Sequence, residues 1–396
     1  MTRARGLLLN LALFLFSLGA CALLIEGAAR IQVAREAPPV AGPKRPISRY
    51  HPTLGWDKPP GGEMRITRDE YDVVISVNSK GLRGPDRDYA KPAGARRILI
   101  LGDSFGEGYY VDEDKSARAL LEARLNAPGA CARHEVINGS TAGYSTDQEY
   151  LFYEAEGHRY GAELVVVFLY YNDLYYNTTG IGTGGKPKPY FQADGDRLVL
   201  RNVPVPQLPE DRPGRVGGLR PWRGSIALRL LSNRTLDAAP RLHAWLAQVG
   251  LVEPLSRDPY KEFWPFGAGN REEVDEMWRR TAVILKSFRR EVEAHAGRLA
   301  LLYVPSRLEV NDAALVATDE RFHMGLRRNR DRVFKRLKAT CDAIGIPLAD
   351  PREALRAAEQ PDRPAYFPND GHWNEVGNAV VAEQLTPFVR ELIPCP

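Results

Sequence analysis

The sequence predicts an α/β fold, a central parallel sheet with helices packed on both faces. Three observations carry the prediction. Short apolar runs rich in β-branched residues recur along the chain, and helical patterns stand between them. One run, "ELVVVFLYYND" over residues 163–173, is apolar almost without a break. Strand–helix alternation implies parallel pairing, because a parallel connection needs a crossover long enough to hold a helix. An unbroken apolar strand is expected where both faces of a sheet are covered. A chain of 396 residues, 44% hydrophobic and 26% charged, has the apolar material for a sizeable core.

The N-terminus is read first. "MTRARGLLLNLALFLFSLGACALLIEGAAR" opens with Arg3 and Arg5, and from Gly6 to Ile25 only Asn10 and Ser17 are polar. About 20 such residues span the hydrocarbon core of a bilayer as a helix. Residues 1–30 therefore read as a signal anchor, an N-terminal transmembrane helix crossing the inner membrane once. Arg3 and Arg5 favour a cytoplasmic N-terminus. Arg30 and Arg35 on the far side weaken that orientation. If it holds, everything beyond residue 40 or so is extracytoplasmic, on the periplasmic side of a bacterium-like cell. Two rival readings are weaker. A cleaved signal peptide has an apolar region of only about 7–15 residues. A lipoprotein signal is suggested by "LGAC" ending at Cys21, but the chain stays apolar after it.

Residues 31–94 form a linker and lead-in segment, rich in Pro and Gly at "EAPPVAGPKRP" and "KPPGG". "YDVVISVNSKGLRG" reads as a strand followed by a turn at Ser79-Lys80-Gly81. Residues 95–176 begin the alternation with strand "RRILILGDS", then helix "DKSARALLEARL", whose Ala117, Leu120, Leu121 and Leu125 fall near helical spacing. Strand "HEVINGS", helix "DQEYLFYEAEGHRY" and the apolar strand at 163–173 follow. Residues 177–270 break the rhythm; they are rich in Pro, Gly and Arg, with Trp222, Trp245 and Trp264, and read as an irregular cap insertion. Residues 271–396 resume it with a helix over 271–296, strand "RLALLYVP", helix "RNRDRVFKRLKATCDAIG", strand "IPLAD" and a last helix over 374–392.

Several function classes are disfavoured. A net charge of +4 with no lysine-rich or arginine-rich tract gives no argument for nucleic acid. The seven histidines include no HExxH, so neither a metal nor a cofactor is expected. "GIGTGGKPKP" lacks the Gly-Lys-Ser/Thr of a phosphate loop and reads as a flexible loop. Asn138, Asn177 and Asn233 fit N-x-Ser/Thr, a triplet common by chance. Arg212, Arg215, Arg220, Arg223, Arg229 and Arg234 read as a solvated face, with a surface for anionic polysaccharide or lipid head groups as the minority reading. Cys21, Cys131, Cys341 and Cys395 form no CxxC pair. Cys131 precedes a strand and Cys395 follows the last helix, so both fall at the bottom of the sheet. A Cys131–Cys395 bridge and buried free thiols are the two readings.

Ligands in such folds bind beyond the carboxyl ends of the strands. Those ends carry Gly102-Asp103-Ser104, then "NGSTAGYST" with Gly139 and Gly143, then Asn172-Asp173; the loop before the last helix carries "NDGHWN" with Asp370 and His372. Acyl transfer requires these parts. A serine hydroxyl is a weak nucleophile until a base takes its proton. A histidine can be that base, with a carboxylate fixing its tautomer. The tetrahedral oxyanion needs donors already aimed at it. The backbone N–H groups of Ser104 and Gly143 and the Asn172 amide can supply them.

These residues resemble the SGNH (GDSL-type) hydrolase superfamily, whose four blocks carry Ser, Gly, Asn and His in that order: here Ser104, Gly143, Asn172 and His372. The resemblance covers about residues 95–175 and 297–392. It implies a flavodoxin-like three-layer αβα sandwich and metal-free esterase chemistry. "VNSKGLRG" resembles the lead-in of membrane-anchored bacterial members. The commonest SGNH pattern places the acid three residues before the histidine, where this chain has Asn369; its carboxylate is Asp370, two residues before His372. That Asp-x-His spacing resembles relatives that include polysaccharide O-acetyltransferases. The expectation is a serine esterase with catalytic Ser104, His372 and Asp370 and an oxyanion hole of Ser104, Gly143 and Asn172. Its substrate is expected to be an O-acyl, above all O-acetyl, ester of an envelope glycan, or a lipid ester if the chain is a lipase. Acyl transfer to a polysaccharide hydroxyl uses the same residues, and a non-catalytic glycan-binding protein with a decayed site is the rival outside enzymes.

Overall fold

A computed structural model describes residues 2–36, 46–207 apart from 196, 261–267, 271–322 and 325–395, with five single positions between 208 and 260. The chain divides into two units, residues 1–40 with 214–259 and residues 41–213 with 260–396. In the first, α1 (Thr2–Glu36) is a continuous helix, and Ser225 Oγ donates to Glu26 Oε2 at 2.7 Å. Among the described residues no helix is long and apolar enough to cross a membrane, so the transmembrane expectation gains no support. The side chains of part of the apolar stretch lie outside the described residues. So do Trp222, Trp245, Asn233 and the six arginines of the expected cap.

The second unit starts with two small hairpins, β1 (Arg49–His51) with β2 (Gly55–Asp57) and β3 (Glu63–Thr67) with β4 (Asp72–Ser76). Then come β5 (Ala95–Gly102), α2 (Ser104–Glu107), α3 (Ala117–Leu125), β6 (Arg133–Asn138), α4 (Thr146–Ala155), β7 (Leu164–Tyr170) and α5 (Asp173–Tyr176). A third hairpin, β8 (Tyr190–Asp194) with β9 (Arg197–Arg201), precedes α6 (Arg271–Ala294) and β10 (Arg298–Val304). The chain ends through α7 (Arg307–Val310), α8 (Asp312–Phe322), α9 (Arg332–Ile344), β11 (Leu348–Ala349), α10 (Arg352–Ala358) and α11 (Glu375–Leu392).

Five strands form one parallel sheet in the order β6-β5-β7-β10-β11. Counted by appearance, the second strand lies outside the first and the rest follow in sequence. This is the flavodoxin-like doubly wound order, whose switch point lies between the first and third strands, here β5 and β7. Successive side chains of a strand point to opposite faces, and the cores obey that parity. Leu99, Leu101, Val165, Val167, Leu301 and Tyr303 pack with α4, α6 and α9. Ile98, Ile100, Val166, Phe168, Leu302 and Val304 pack with α3, α10 and α11. Full burial of such side chains stabilises by about 1.5–3 kcal/mol each, and the buried Arg97 of β5 is accommodated by pairing with Glu135 at 3.0 Å.

Three expectations are adjusted. The helix expected over 147–160 stops at Ala155 and a 3-10 turn, Gly157–Tyr160, replaces its last turn. There Gly157 sits so close to Tyr153 and Leu99 that a Cβ would come within 3.1 and 3.2 Å of their side chains. The 177–270 stretch is not irregular throughout: it holds the β8–β9 hairpin, whose Phe191 is buried against Tyr150. "GIGTGGKPKP" is not free along its length, because Lys188 is fully buried and paired with Asp147 at 2.5 Å. Of the two cysteine readings, the bridge holds: Cys131 and Cys395 are disulfide-bonded, with Cα atoms 5.9 Å apart. Cys341 is a buried free thiol and Cys21 an exposed one.

Candidate active site

The switch point carries the chemistry. β5 ends at Gly102, Asp103 caps α2 by accepting from the Phe105 N–H at 2.8 Å, and Ser104 opens the single turn of helix. Gly106 lets that turn lie against the loop after β6, since a Cβ there would meet Ser140 Oγ at 2.5 Å. Burial pushes the Asp103 carboxyl up to about 6, against the Phe105 N–H and the neighbouring His372, which pull it down.

The loop before α11 brings His372 to Ser104. Ser104 Oγ donates to His372 Nε2 at 2.7 Å, and His372 Nδ1 donates to Asp370 Oδ1 at 2.5 Å. The same oxygen accepts the His372 backbone N–H at 3.3 Å, so acid and base close a tight turn across Gly371, at φ +84°. A positive φ of this size suits glycine. This turn is how a two-residue spacing still sets the carboxylate against the imidazole. Asn369 is turned to other use, its N–H donating to Glu70. The imidazole is packed between the Phe105 ring, stacked at 4.5 Å, and the Tyr110 ring, edge-on at 4.6 Å. Burial alone would raise the Asp370 carboxyl, but the bond and charge of His372 outweigh it and hold it below the ordinary value.

Gly143 and Asn172 line the same cleft as Ser104 and His372. Gly143 sits at φ +80° in the loop after β6, which is zipped to the end of β5 by Gly139 N–H to Ile100 O at 2.8 Å and Thr141 N–H to Gly102 O at 2.9 Å. Asn172 immediately precedes α5, and its Oδ1 is buried with no hydrogen-bond partner among the described residues. The five expected site residues are thus gathered at one place.

Sequence reasoning missed the residues that hold them there, and most come from the lead-in. Lys58, fully buried, donates to Ser140 O and to Thr141 Oγ1 at 2.8 Å, and lies 3.7 Å from Glu107 Oε1. Glu107, on the nucleophile's own helix, accepts the Ala142 N–H at 2.6 Å. Trp56 Nε1 donates to Ala142 O at 3.1 Å. Arg83, in the "VNSKGLRG" stretch, donates to the carbonyls of Glu107 at 3.2 Å, Gly108, and Val111 at 2.5 Å, satisfying the C-terminal end of α2. That gives the motif its role. Tyr71 OH reaches Asp370 Oδ2 at 3.4 Å. Among the described residues no group of three or more His, Cys, Asp or Glu could hold a metal ion.

The cleft encloses about 800 Å³. It reaches the residues following β6, β5, β7 and β10, four neighbouring strand ends, a width of about 14 Å at ~4.8 Å per strand. Aromatic rings of Trp56, Tyr110, Tyr171 and Phe263 form much of its wall, and Lys186 lies 5.4 Å from the Trp56 ring centre.

Residues 264–395 match a family model described as the SGNH hydrolase-like domain of the acetyltransferase AlgX. The match supports the SGNH superfamily for this chain. The matched segment includes Asp370 and His372, while Ser104, Gly143 and Asn172 precede it. Among solved structures, this chain is similar to TesA, at 13% identity and a TM-score of 0.38 over 75% of this chain and 99% of that one. It is similar to the acetyl xylan esterase AlAXEase, at 13% and 0.38 over 74% and 99%. It is also similar to LAE5, an alpha/beta hydrolase enzyme from the metagenome of Lake Arreo, Spain, at 14% and 0.41 over 78% and 98%. No curated protein matches the sequence. The match supports an ester-bond enzyme, a hydrolase with acyl transfer as the variant outcome.

Proposed function

We propose that this protein is a serine esterase acting on O-acyl, above all O-acetyl, esters of an envelope glycan. The observation that carries the reading is the unbroken relay from Ser104 Oγ to His372 Nε2 at 2.7 Å and from His372 Nδ1 to Asp370 at 2.5 Å. Ser104 Oγ attacks the ester carbonyl carbon as His372 takes its proton, and the oxygen that gains the electron pair is held by the Ser104 and Gly143 N–H groups and the Asn172 amide. Collapse breaks the ester C–O bond, and the alcohol leaves with the proton from His372. Water then attacks the acyl-serine, gives its proton to His372, and the carboxylic acid departs as Ser104 is restored. Asp370 stabilises the imidazolium in both halves.

The glycan assignment rests on the cleft. An acetyl group occupies a few ångströms, whereas a cleft about 14 Å wide with aromatic rings in its wall suits an extended alcohol with apolar sugar faces. The acetyl xylan esterase among the similar structures is named for such a substrate. The same site serves acetyl transfer if a sugar hydroxyl replaces water, a second reading favoured by the acetyltransferase in the matched family's description. We place the site outside the inner membrane, tethered by residues 1–30. The Cys131–Cys395 bridge supports this, because disulfides persist in oxidising compartments.

The test supplies 4-nitrophenyl acetate and an acetylated oligosaccharide, with and without a deacetylated acceptor glycan. Free acetate marks the esterase, and acetyl appearing on the acceptor marks the transferase. Both are lost in Ser104→Ala. A wild-type protein that releases no acetate, transfers none and takes up no fluorophosphonate at Ser104 overturns the reading.

A further inference from the structure

The acid turn is fastened from outside its own loop. Glu70 lies in the turn between β3 and β4, about 300 residues from Asp370 in sequence (separations 299 and 300). Its Oε1 accepts the Asn369 N–H at 3.0 Å and its Oε2 accepts the Asp370 N–H at 3.1 Å. One carboxylate thus holds two successive peptide N–H groups immediately ahead of the acid. Charge-assisted bonds of this kind are about twice as strong as neutral ones. The next residue, Tyr71, adds its hydroxyl to Asp370 Oδ2 at 3.4 Å and packs its ring on Phe367 at 5.0 Å and on Tyr110 at 4.7 Å. Tyr110 in turn stands edge-on to His372.

The turn needs such a fastener. Asp370 Oδ1 serves both the backbone N–H and the Nδ1 of His372, so the direction of its Cα–Cβ bond decides where the imidazole points. The following residue is Gly371, at positive φ, a position with wide conformational freedom. On the preceding side, the peptide planes of 369 and 370 are pinned by Glu70. The hairpin that carries it is stiffened by Arg65, whose Nε donates to Asp72 Oδ1 at 2.7 Å, and by Thr67, whose Oγ1 donates to the same oxygen at 2.8 Å.

We propose that Glu70 is a positioning residue of this active site, acting through the backbone of residues 369–370 to aim Asp370, and through it His372, at Ser104. The proposal rests on the acyl-serine reading of the site, and Glu70 itself touches no reacting atom. The shortened Asp-x-His spacing is thereby tied to the lead-in hairpin: the hairpin supplies the rigidity that the turn lacks.

The experiment titrates active sites with a fluorophosphonate in the full chain, for wild type, Glu70→Ala and Glu70→Gln, and measures 4-nitrophenyl acetate turnover on the same samples. The labelling end point counts folded sites, and the labelling rate constant reports how well Ser104 is activated. Glu70→Ala is expected to reach the wild-type end point with a rate constant and a kcat per labelled site lowered about 10- to 100-fold, the scale of a misplaced catalytic group, and KM within about twofold. Glu70→Gln, which keeps one acceptor, is expected to fall between the two. A lower end point with an unchanged rate constant per labelled site means that Glu70 only supports folding, and overturns the proposal. So does a rate constant within about twofold of wild type in both variants. A wild-type protein that neither labels nor turns over overturns the acyl-serine reading, and the proposal with it.

Discussion

Asp370→Asn tests the relay most directly. The substitution keeps the shape of the turn and removes the charge facing Nδ1. In the transition state His372 carries a proton on each nitrogen, and its positive charge centre lies about 4 Å from the carboxylate. At an effective dielectric near 20 that attraction is about 4 kcal/mol. The two side chains are 23% and 21% exposed, which screens part of it. About 3 kcal/mol remains, or about 100-fold in rate at roughly 1.4 kcal/mol per tenfold. A second loss is available, because the amide can present its NH2 to Nδ1, which moves the imidazole proton to Nε2 and leaves nothing to accept from Ser104. The expectation is a kcat lowered at least 100-fold on 4-nitrophenyl acetate, with KM within about twofold, the signature of an interaction made in the transition state. A kcat within about fivefold of wild type would refute the reasoning. So would recovery of activity by Asn369→Asp in the Asp370→Asn background, since the oxygen that meets His372 Nδ1 belongs to residue 370.

Three further outcomes follow from the same geometry. Asp103 has its carboxyl raised to about 6 by burial, from an ordinary 3.8; the native state therefore binds the proton more tightly, and this group's contribution to stability falls as pH rises between those values and stays low above them. Asp103→Asn keeps an acceptor for the Phe105 N–H, so urea unfolding should show the variant gaining about 2 kcal/mol on wild type between pH 4 and pH 7; an equal difference at both pH values contradicts this. Lys58→Met leaves Glu107 buried without its cation, and should lose about 3–5 kcal/mol of stability and slow turnover through the Ser140–Ala142 backbone; a variant as stable and active as wild type would show the pair to be dispensable. Reduction of Cys131–Cys395, which closes a loop of 264 residues, should cost about 2–5 kcal/mol, read as a lowered thermal midpoint in reductant that Cys131→Ser does not show.

The sheet was legible in the sequence because burial on both faces writes itself as apolar runs, and β7, at 164–170, is the clearest of them. The site was legible for a related reason. Ser104, Gly143 and Asn172 each follow a strand, and in a doubly wound sheet the carboxyl ends of neighbouring strands meet at one place. His372 and Asp370 precede the last helix and arrive over the same edge. The fasteners were not legible. Lys58, Glu70 and Arg83 lie in or beside turns of the lead-in segment, and each acts on backbone atoms well separated along the chain. Backbone partners leave no mark on residue type. α7, with four residues, is too short for a helical period, whereas β11, with only two residues, falls inside the strand read at "IPLAD".

The early contacts of Lys58, Glu70 and Arg83 bear on where the working enzyme begins. A fragment opening at Ala95 would retain every residue of the relay and the whole five-stranded sheet. It would nonetheless lose the contact that holds each of three parts of the site: the Ser104 helix, the loop that carries Gly143 and the turn that carries Asp370. The smallest piece worth expressing therefore starts some fifty residues upstream of the first sheet strand, near residue 46, and any truncation scan across that span should see catalysis vanish in steps while the sheet stays intact.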